Sequence, residues 1–262
     1  MGDRLLDCNS REALFSARAG AGRKRWSIIG TGRLSRDVAE LVLASGSDRR
    51  RELLVRLGLR FTVVRPDIDE TLAPGMCADL AVQLVARAKA HAVISMLKEG
   101  MKAYVLAADT VVVGPGGPLG KPGSEPRAKE MLRQLRGHRH VVLTGICALC
   151  PSTMKEGTAV SRSAVRMREF SDEELEQYVA GGEPLDKAGA YAVQGLGGSL
   201  VDAIGGRTDT VIGLDCQMAM HLLNEVGYPN PLPTAPDHAV PLGKSATTRR
   251  PLASSNRSGG SR

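Results

Sequence analysis

Between residues 41 and 227, the spacing of apolar and polar positions divides the chain into strands and helices that follow one another. "LVLAS", beginning at Leu41, is a short continuous apolar run, as in a buried strand. "DRRRELLVRLG" behind it has helical spacing and stops at Gly58. "RFTVVRP" reads as the next strand. "ADLAVQLVARAKAHAVISMLKEG" places Leu80, Leu84, Val85 and Ala88 on one helical face and runs towards Gly100. "YVLAADTVVVG" is a strand interrupted by one acidic residue, Asp109, and "PGGP" is a turn. Ser124 is placed to cap "EPRAKEMLRQLRG", with Pro126 in the first helical turn. Two strands over 141–149 and 159–167 follow, the second with one solvated face. Ser171 and Glu174 form a capping box ahead of a helix that Gly181 ends. "GSLVDAIGGRTDTVIG" reads as a hairpin and "LDCQMAMHLLNEVG" as a final helix. Strands and helices mixed throughout predict an α/β or α+β fold.

The ends differ from this middle. Residues 1–39 show little sustained period and read as a flexible basic extension; 40–227 read as the folded domain. Residues 228–262, rich in Pro, Ser and Gly, read as a disordered tail. Charge follows the same division. The net charge is +7, and residues 1–40 hold eight Lys/Arg against five Asp/Glu, while 228–262 hold five against one. The segment 41–227 is therefore neutral, which argues against nucleic acid as the partner of the folded part. Aromatics make up only 3% of the chain, so the core must be built from Val, Leu, Ile and Ala. No apolar run approaches the roughly 18 residues of a membrane span, and the N-terminus has no secretory h-region of about 7–15 apolar residues. Five irregularly spaced cysteines do not suggest a disulfide framework. Cys147 and Cys150 in "CALC" have zinc-like spacing but lie in an apolar segment without a second ligand pair, so they read as buried strand thiols. A reducing cytoplasm fits best.

Several charged residues stand where charge is costly. Asp109 sits between "YVLAA" and "TVVV", and burying a carboxylate requires a cation or donors to meet it. It is either a strand-end residue, solvated or paired with an arginine, or a carboxylate held for a metal ion or proton abstraction, and the second is favoured. "RPDIDET" adds Asp67, Asp69 and Glu70 in a loop that could bring Glu70 towards Asp109, and such oxygen-rich pairs suit Mg²⁺. Arg49, Arg50 and Arg51 crowd a helix N-terminus, where the dipole disfavours cations. With Ser45, Ser47 and the free backbone N–H groups they would make a phosphate site. Lys89, between two alanines, is either a snorkelling surface lysine or part of such a site, and Lys121 in "LGKP" follows a hairpin. The glycine clusters "QGLGGSL" and "AIGGR" give neither a dinucleotide fingerprint nor a P-loop. His138 and His140 read as polar residues at an exposed strand end.

Taken in order, "LASGSDRRRELL", "RPDIDET", "ARAKA", "AADTVVV", "LGKP", "MLRQLRGHRHVVLTG", "SDEELEQYV", "EPLDKAGAYAVQGLGG" and "TVIGL" resemble the Maf family of nucleoside triphosphate pyrophosphatases. The resemblance implies an inosine-triphosphatase-like α/β fold, a mixed twisted sheet flanked by helices with two lobes around a central cleft. It implies a cytoplasmic homodimer that hydrolyses a nucleoside triphosphate to the monophosphate and pyrophosphate with a divalent cation, Mg²⁺ or Mn²⁺. It places the proton acceptor at Asp109 and a second acidic residue at Glu70, the two that would hold the metal. Phosphate contacts fall on Ser45, Arg50, Lys89 and Lys121. Base choice falls on Arg49, Thr110 and Gln194, a set similar to the dTTP/UTP branch rather than the 7-methyl-GTP branch.

The chain departs from the family pattern at Asp48, where a proline is usual, and in "GRTDTVIGLDCQ", where a Ser/Tyr-bearing loop and a proline after "GL" are usual. The extended N-terminus has no counterpart. The alternatives are the same reaction on 7-methyl-GTP or another modified nucleotide, or a non-catalytic nucleic-acid-linked regulator using the basic ends.

Overall fold

The computed structural model describes residues 27–29, 39–70, 75–97 and 101–229. Most of the expected basic extension and almost all of the expected tail lie outside these residues. Within the 1–39 segment, Ser27–Ile29 forms strand β1, and at the other end Tyr228 is buried against Tyr104.

The remaining strands are β2 (Glu40–Ala44), β3 (Phe61–Val64), β4 (Ala103–Gly114), β5 (Gly117–Leu119), β6 (Arg139–Cys150), β7 (Lys155–Met167) and β8 (Val201–Gly205). Among the described residues they form one mixed sheet in the order β1-β3-β2-β4-β6-β7-β8, with β5 paired to β4. β2 runs parallel to both neighbours, and every other pairing is antiparallel. The α/β expectation is met as a mixed sheet flanked by helices.

The helices are α1 (Asp48–Arg56), α2 (Ala78–Ile94), α3 (Glu125–Leu135), α4 (Asp172–Ala180), α5 (Thr208–Ile212) and α6 (Cys216–Glu225). Leu53 and Leu54 of α1 and Leu222 and Leu223 of α6 pack with Leu41, Leu43, Leu106 and Ile146 on one face of the sheet. On the other face, Ala86, Ala90 and Val93 of α2 meet Val42, Val105, Ala107 and Cys147. α3 and α4 close over Val112, Val142, Val165 and Met167. The Ser171/Glu174 capping box forms as expected. Ser124 occupies the N-cap of α3 but makes no side-chain capping bond. No helix among the described residues is long and apolar enough to cross a membrane.

Two expectations are corrected. The buried face of α2 carries Ala81, Val82, Val85, Ala86, Lys89, Ala90 and Val93, while Leu80, Leu84 and Ala88 are only partly covered. Small residues win because the helix lies almost on the sheet. A Cβ at Gly145 of β6 would stand 2.3 Å from the Val82 carbonyl oxygen. The second correction concerns the expected hairpin over 198–213. Only Val201–Gly205 is a strand, and Thr208–Ile212 turns into α5. The β-branched composition of "TDTVI" favours a strand, but tertiary contacts override it. The Asp209 carboxylate accepts from Cys216 N and pairs with Arg207.

Candidate active site

β4 outruns its parallel neighbour. β2 ends at Ala44, opposite Ala107, and β5 joins the same edge of β4 only at Val112. The edge from Ala108 to Val111 therefore has no strand beside it among the described residues. A cavity of about 620 Å³ opens there, past the carboxyl end of β2. The chain leaves β2 into α1 on one face of the sheet and enters β4 from α2 on the other. Open α/β sheets bind ligands at such switch points.

Because side chains alternate along a strand, consecutive residues of β4 serve opposite sides of this edge. Asp109 faces α2. Lys89, 6% exposed, reaches it from that helix, with Nζ 2.7 Å from Asp109 Oδ1 and 3.0 Å from Glu70 Oε1. The snorkelling alternative for Lys89 is thereby excluded, and the loop after β3 does bring Glu70 to Asp109. A buried ammonium needs such partners, and here two carboxylates supply them.

Thr110 faces the other way, towards Arg50. Arg50 is 8% exposed, and its guanidinium donates to the Gly213 carbonyl at 2.8 Å, to Thr110 Oγ1 at 3.0 Å and to Ser45 Oγ at 3.3 Å. Burial lowers its pKa, and the nearby Asp109 carboxylate acts against that shift. The fork is thus held at the start of α1 by neutral acceptors, and among the described residues no carboxylate pairs with it directly. Arg51 behaves differently and pairs with Asp48 at 3.0 Å on the surface.

Ser45, Arg49, Arg50, Glu70, Lys89, Asp109, Thr110 and Lys121 all line the cavity. Arg49 is half-buried; burial lowers its pKa, and Asp186, Tyr178 and Glu183 oppose the shift. Gln194 is not brought to the others: it sits on an exposed turn and is not among the lining residues.

Sequence reasoning missed Arg65, Asp186, Lys187 and Tyr191, which also line the cavity. Arg65 follows β3 directly, and its side chain lies over Gly46, where a Cβ would meet it at 3.4 Å. Its place after a strand that ends beside β2 was the available signal. The other three come from a segment of short 3₁₀ turns with no readable period.

His140 is corrected as well. It is 3% exposed, and its Nε2 lies 2.7 Å from the Tyr191 hydroxyl. Burial lowers its pKa from 6.5 to about 4. The unfolded chain takes up the proton first, so stability present above pH 6.5 is lost as pH falls towards 4. The loss should be on the order of 3 kcal/mol. Denaturant unfolding at pH 7 and pH 4.5 should show this loss in the wild type and a smaller one in His140→Gln. Equal losses would remove His140 as the cause.

Among the described residues no group of three or more His, Cys, Asp and Glu converges as a metal cluster. Cys147 and Cys150 are buried in β6, as expected of strand thiols, and burial pushes the Cys147 thiol up to about 12.

The family described as Maf-like protein matches residues 40–226. The chain is 46% identical over 198 residues to a protein of Myxococcus xanthus named dTTP/UTP pyrophosphatase, covering 76% of this chain and 98% of that one. A protein of the same name from Hahella chejuensis is 44% identical over 187 residues, 71% of this chain and 92% of its own length. Another from Moorella thermoacetica is 45% identical over 186 residues, 71% and 94% of the two chains. The match runs from the first residue of β2 to the residue after α6, so it spans the whole wall of the cavity. The chain belongs to the Maf family.

Proposed function

We propose that this protein hydrolyses dTTP and UTP to the nucleoside monophosphate and pyrophosphate. The observation that carries the reading is the pair of charge assemblies on either side of the free edge of β4. Lys89 is seated between Asp109 and Glu70 on one side, and Arg50 is braced by neutral acceptors on the other. The names of relatives 44–46% identical to this chain supply the nucleotide class.

The reaction needs a water aimed at the α-phosphorus and charge neutralisation on the departing group. Asp109 orients that water and accepts its proton as the oxygen attacks. The bond from the α-phosphorus to the bridging oxygen breaks, and pyrophosphate leaves with the electron pair. Arg50, Lys89 and Lys121 hold the negative charge that develops there, and Ser45 gives its hydroxyl to a phosphate oxygen. Glu70 and Asp109 would hold a divalent cation, Mg²⁺ or Mn²⁺, because two carboxylates with phosphate oxygens form the hard, oxygen-only set these ions take. When bound, the cation supplies further neutralisation of the phosphate charge.

Arg49 and Thr110 are assigned to base reading from within the cavity; Gln194, outside its lining, keeps that role only through the family resemblance. The segments before and after the β4 edge read as the two lobes of the expected architecture, and a cytoplasmic homodimer remains the reading of its assembly and setting. A panel of dTTP, UTP, the other common triphosphates and 7-methyl-GTP, followed by pyrophosphate release, tests the function. Turnover is expected to be highest with dTTP and UTP. Preference for 7-methyl-GTP would move the chain to the other branch, and no turnover of any triphosphate would end the reading.

A further inference from the structure

Behind Arg50 and Thr110 lies a chain of buried hydroxyls whose direction the geometry fixes. Thr144 of β6, 0% exposed, donates its only hydroxyl proton to the Thr210 carbonyl at 2.8 Å. Its contact with Thr110 Oγ1 at 2.9 Å must then be a bond in which Thr110 donates. The other acceptor near Thr110, the Gly213 carbonyl, is 3.5 Å away and already receives Arg50 Nε at 2.8 Å. With its proton committed to Thr144, Thr110 offers Arg50 Nη2 only lone pairs. Protons therefore point one way, from Arg50 to Thr110 to Thr144 to the Thr210 carbonyl, the arrangement in which successive bonds polarise each other.

The far end is fixed in the same manner. Ser161 of β7 gives its proton to Asp215 Oδ2 at 2.7 Å and so accepts from Thr210 Oγ1, also at 2.7 Å. Asp215, buried, also caps α6 through Met218 N and lies 3.2 Å from Arg207 Nε. The carbonyls of Thr210 and Gly213, which anchor Thr144 and Arg50, thus come from the same short segment around α5.

We propose that Thr144 is a positioning residue: it fixes the direction of the Thr110 hydroxyl and through it the aim of the Arg50 guanidinium at phosphate. The inference rests on the pyrophosphatase reading. Thr144→Val keeps the shape and removes the hydroxyl. It is expected to raise KM for dTTP by about tenfold at an unchanged folded fraction. Thr144→Ser should stay within about threefold of wild type. In a Thr110→Val background Thr144→Val should add nothing further, because contacting residues that act through one another are non-additive. An unchanged KM in folded Thr144→Val, an equal loss in Thr144→Ser, or full additivity with Thr110→Val would each overturn the proposal. Should the valine variant not fold, Thr144→Cys, a weak donor, takes its place in the same comparison. Calorimetric binding of inorganic tripolyphosphate separates this from failure of the functional reading. If wild type turns over no triphosphate, about tenfold weaker tripolyphosphate binding by Thr144→Val still supports the positioning role, and unchanged binding overturns it.

Discussion

Asp109→Asn is expected to lower turnover of dTTP by about 10²–10⁴-fold, the range for loss of a positioned general base. The substitution keeps the shape of the side chain and removes its capacity to accept the water's proton. It also leaves Glu70 as the only carboxylate on Lys89 among the described residues, so the ammonium retains one partner at 3.0 Å. Asp109 is largely covered, at 18% side-chain exposure, whereas Glu70 is at 48%. The charge removed is therefore the less hydrated of the two, where neighbouring dipoles and charges act with least screening. Pyrophosphate release under saturating nucleotide, at a folded fraction checked by circular dichroism, is the measurement. Near-normal turnover would take the proton-accepting role away from Asp109 and leave it as a counter-ion for Lys89.

The place of Asp109 at the cavity was visible in the chain because a carboxylate in "AADTVVV" contradicts the pattern around it. The sequence also exposed the three arginines, whose cost at a helix start signals an anion. It could not show that they part company, with Arg50 inside on neutral acceptors and Arg51 outside on Asp48. Lys89 was readable only as an alternative, since nothing local distinguishes a lysine that snorkels from one that is enclosed. The wrong face was assigned to α2 because hydrophobicity ranks Leu80 and Leu84 above the alanines, whereas close approach to a sheet selects for small side chains. His140 looked exposed because its neighbours are polar, while the surface that buries it, Tyr191, lies 51 residues away. Arg65, Asp186 and Lys187 reach the cavity by long-range folding, and no period records that. The resemblance carried Gln194 into the base-reading set; its exposed turn is a feature that no motif could have shown.

Gly145→Ala is expected to cost about 3 kcal/mol of stability or more, at or beyond the upper end for overpacking, because the obstacle is backbone. The added Cβ would lie 2.3 Å from the Val82 carbonyl oxygen and 2.8 Å from Gln83 N. A helix backbone cannot step aside as a side-chain tip can; α2 has to lift from the sheet as a body. Gly145 pairs with Asp109 across β4 and β6, so both side-chain positions point to the face that α2 covers. Lys89 follows Val82 by seven residues, about two helical turns along the same stripe. The missing side chain at Gly145 is thus what seats α2 closely enough for the Lys89 ammonium to reach 2.7 Å from Asp109. The variant should show a lower denaturation midpoint and, in its folded fraction, a lower kcat/KM for dTTP. Wild-type stability would mean that α2 stands farther from β6 than this packing requires. A destabilised variant with full activity would instead uncouple the seat of the helix from the aim of its lysine.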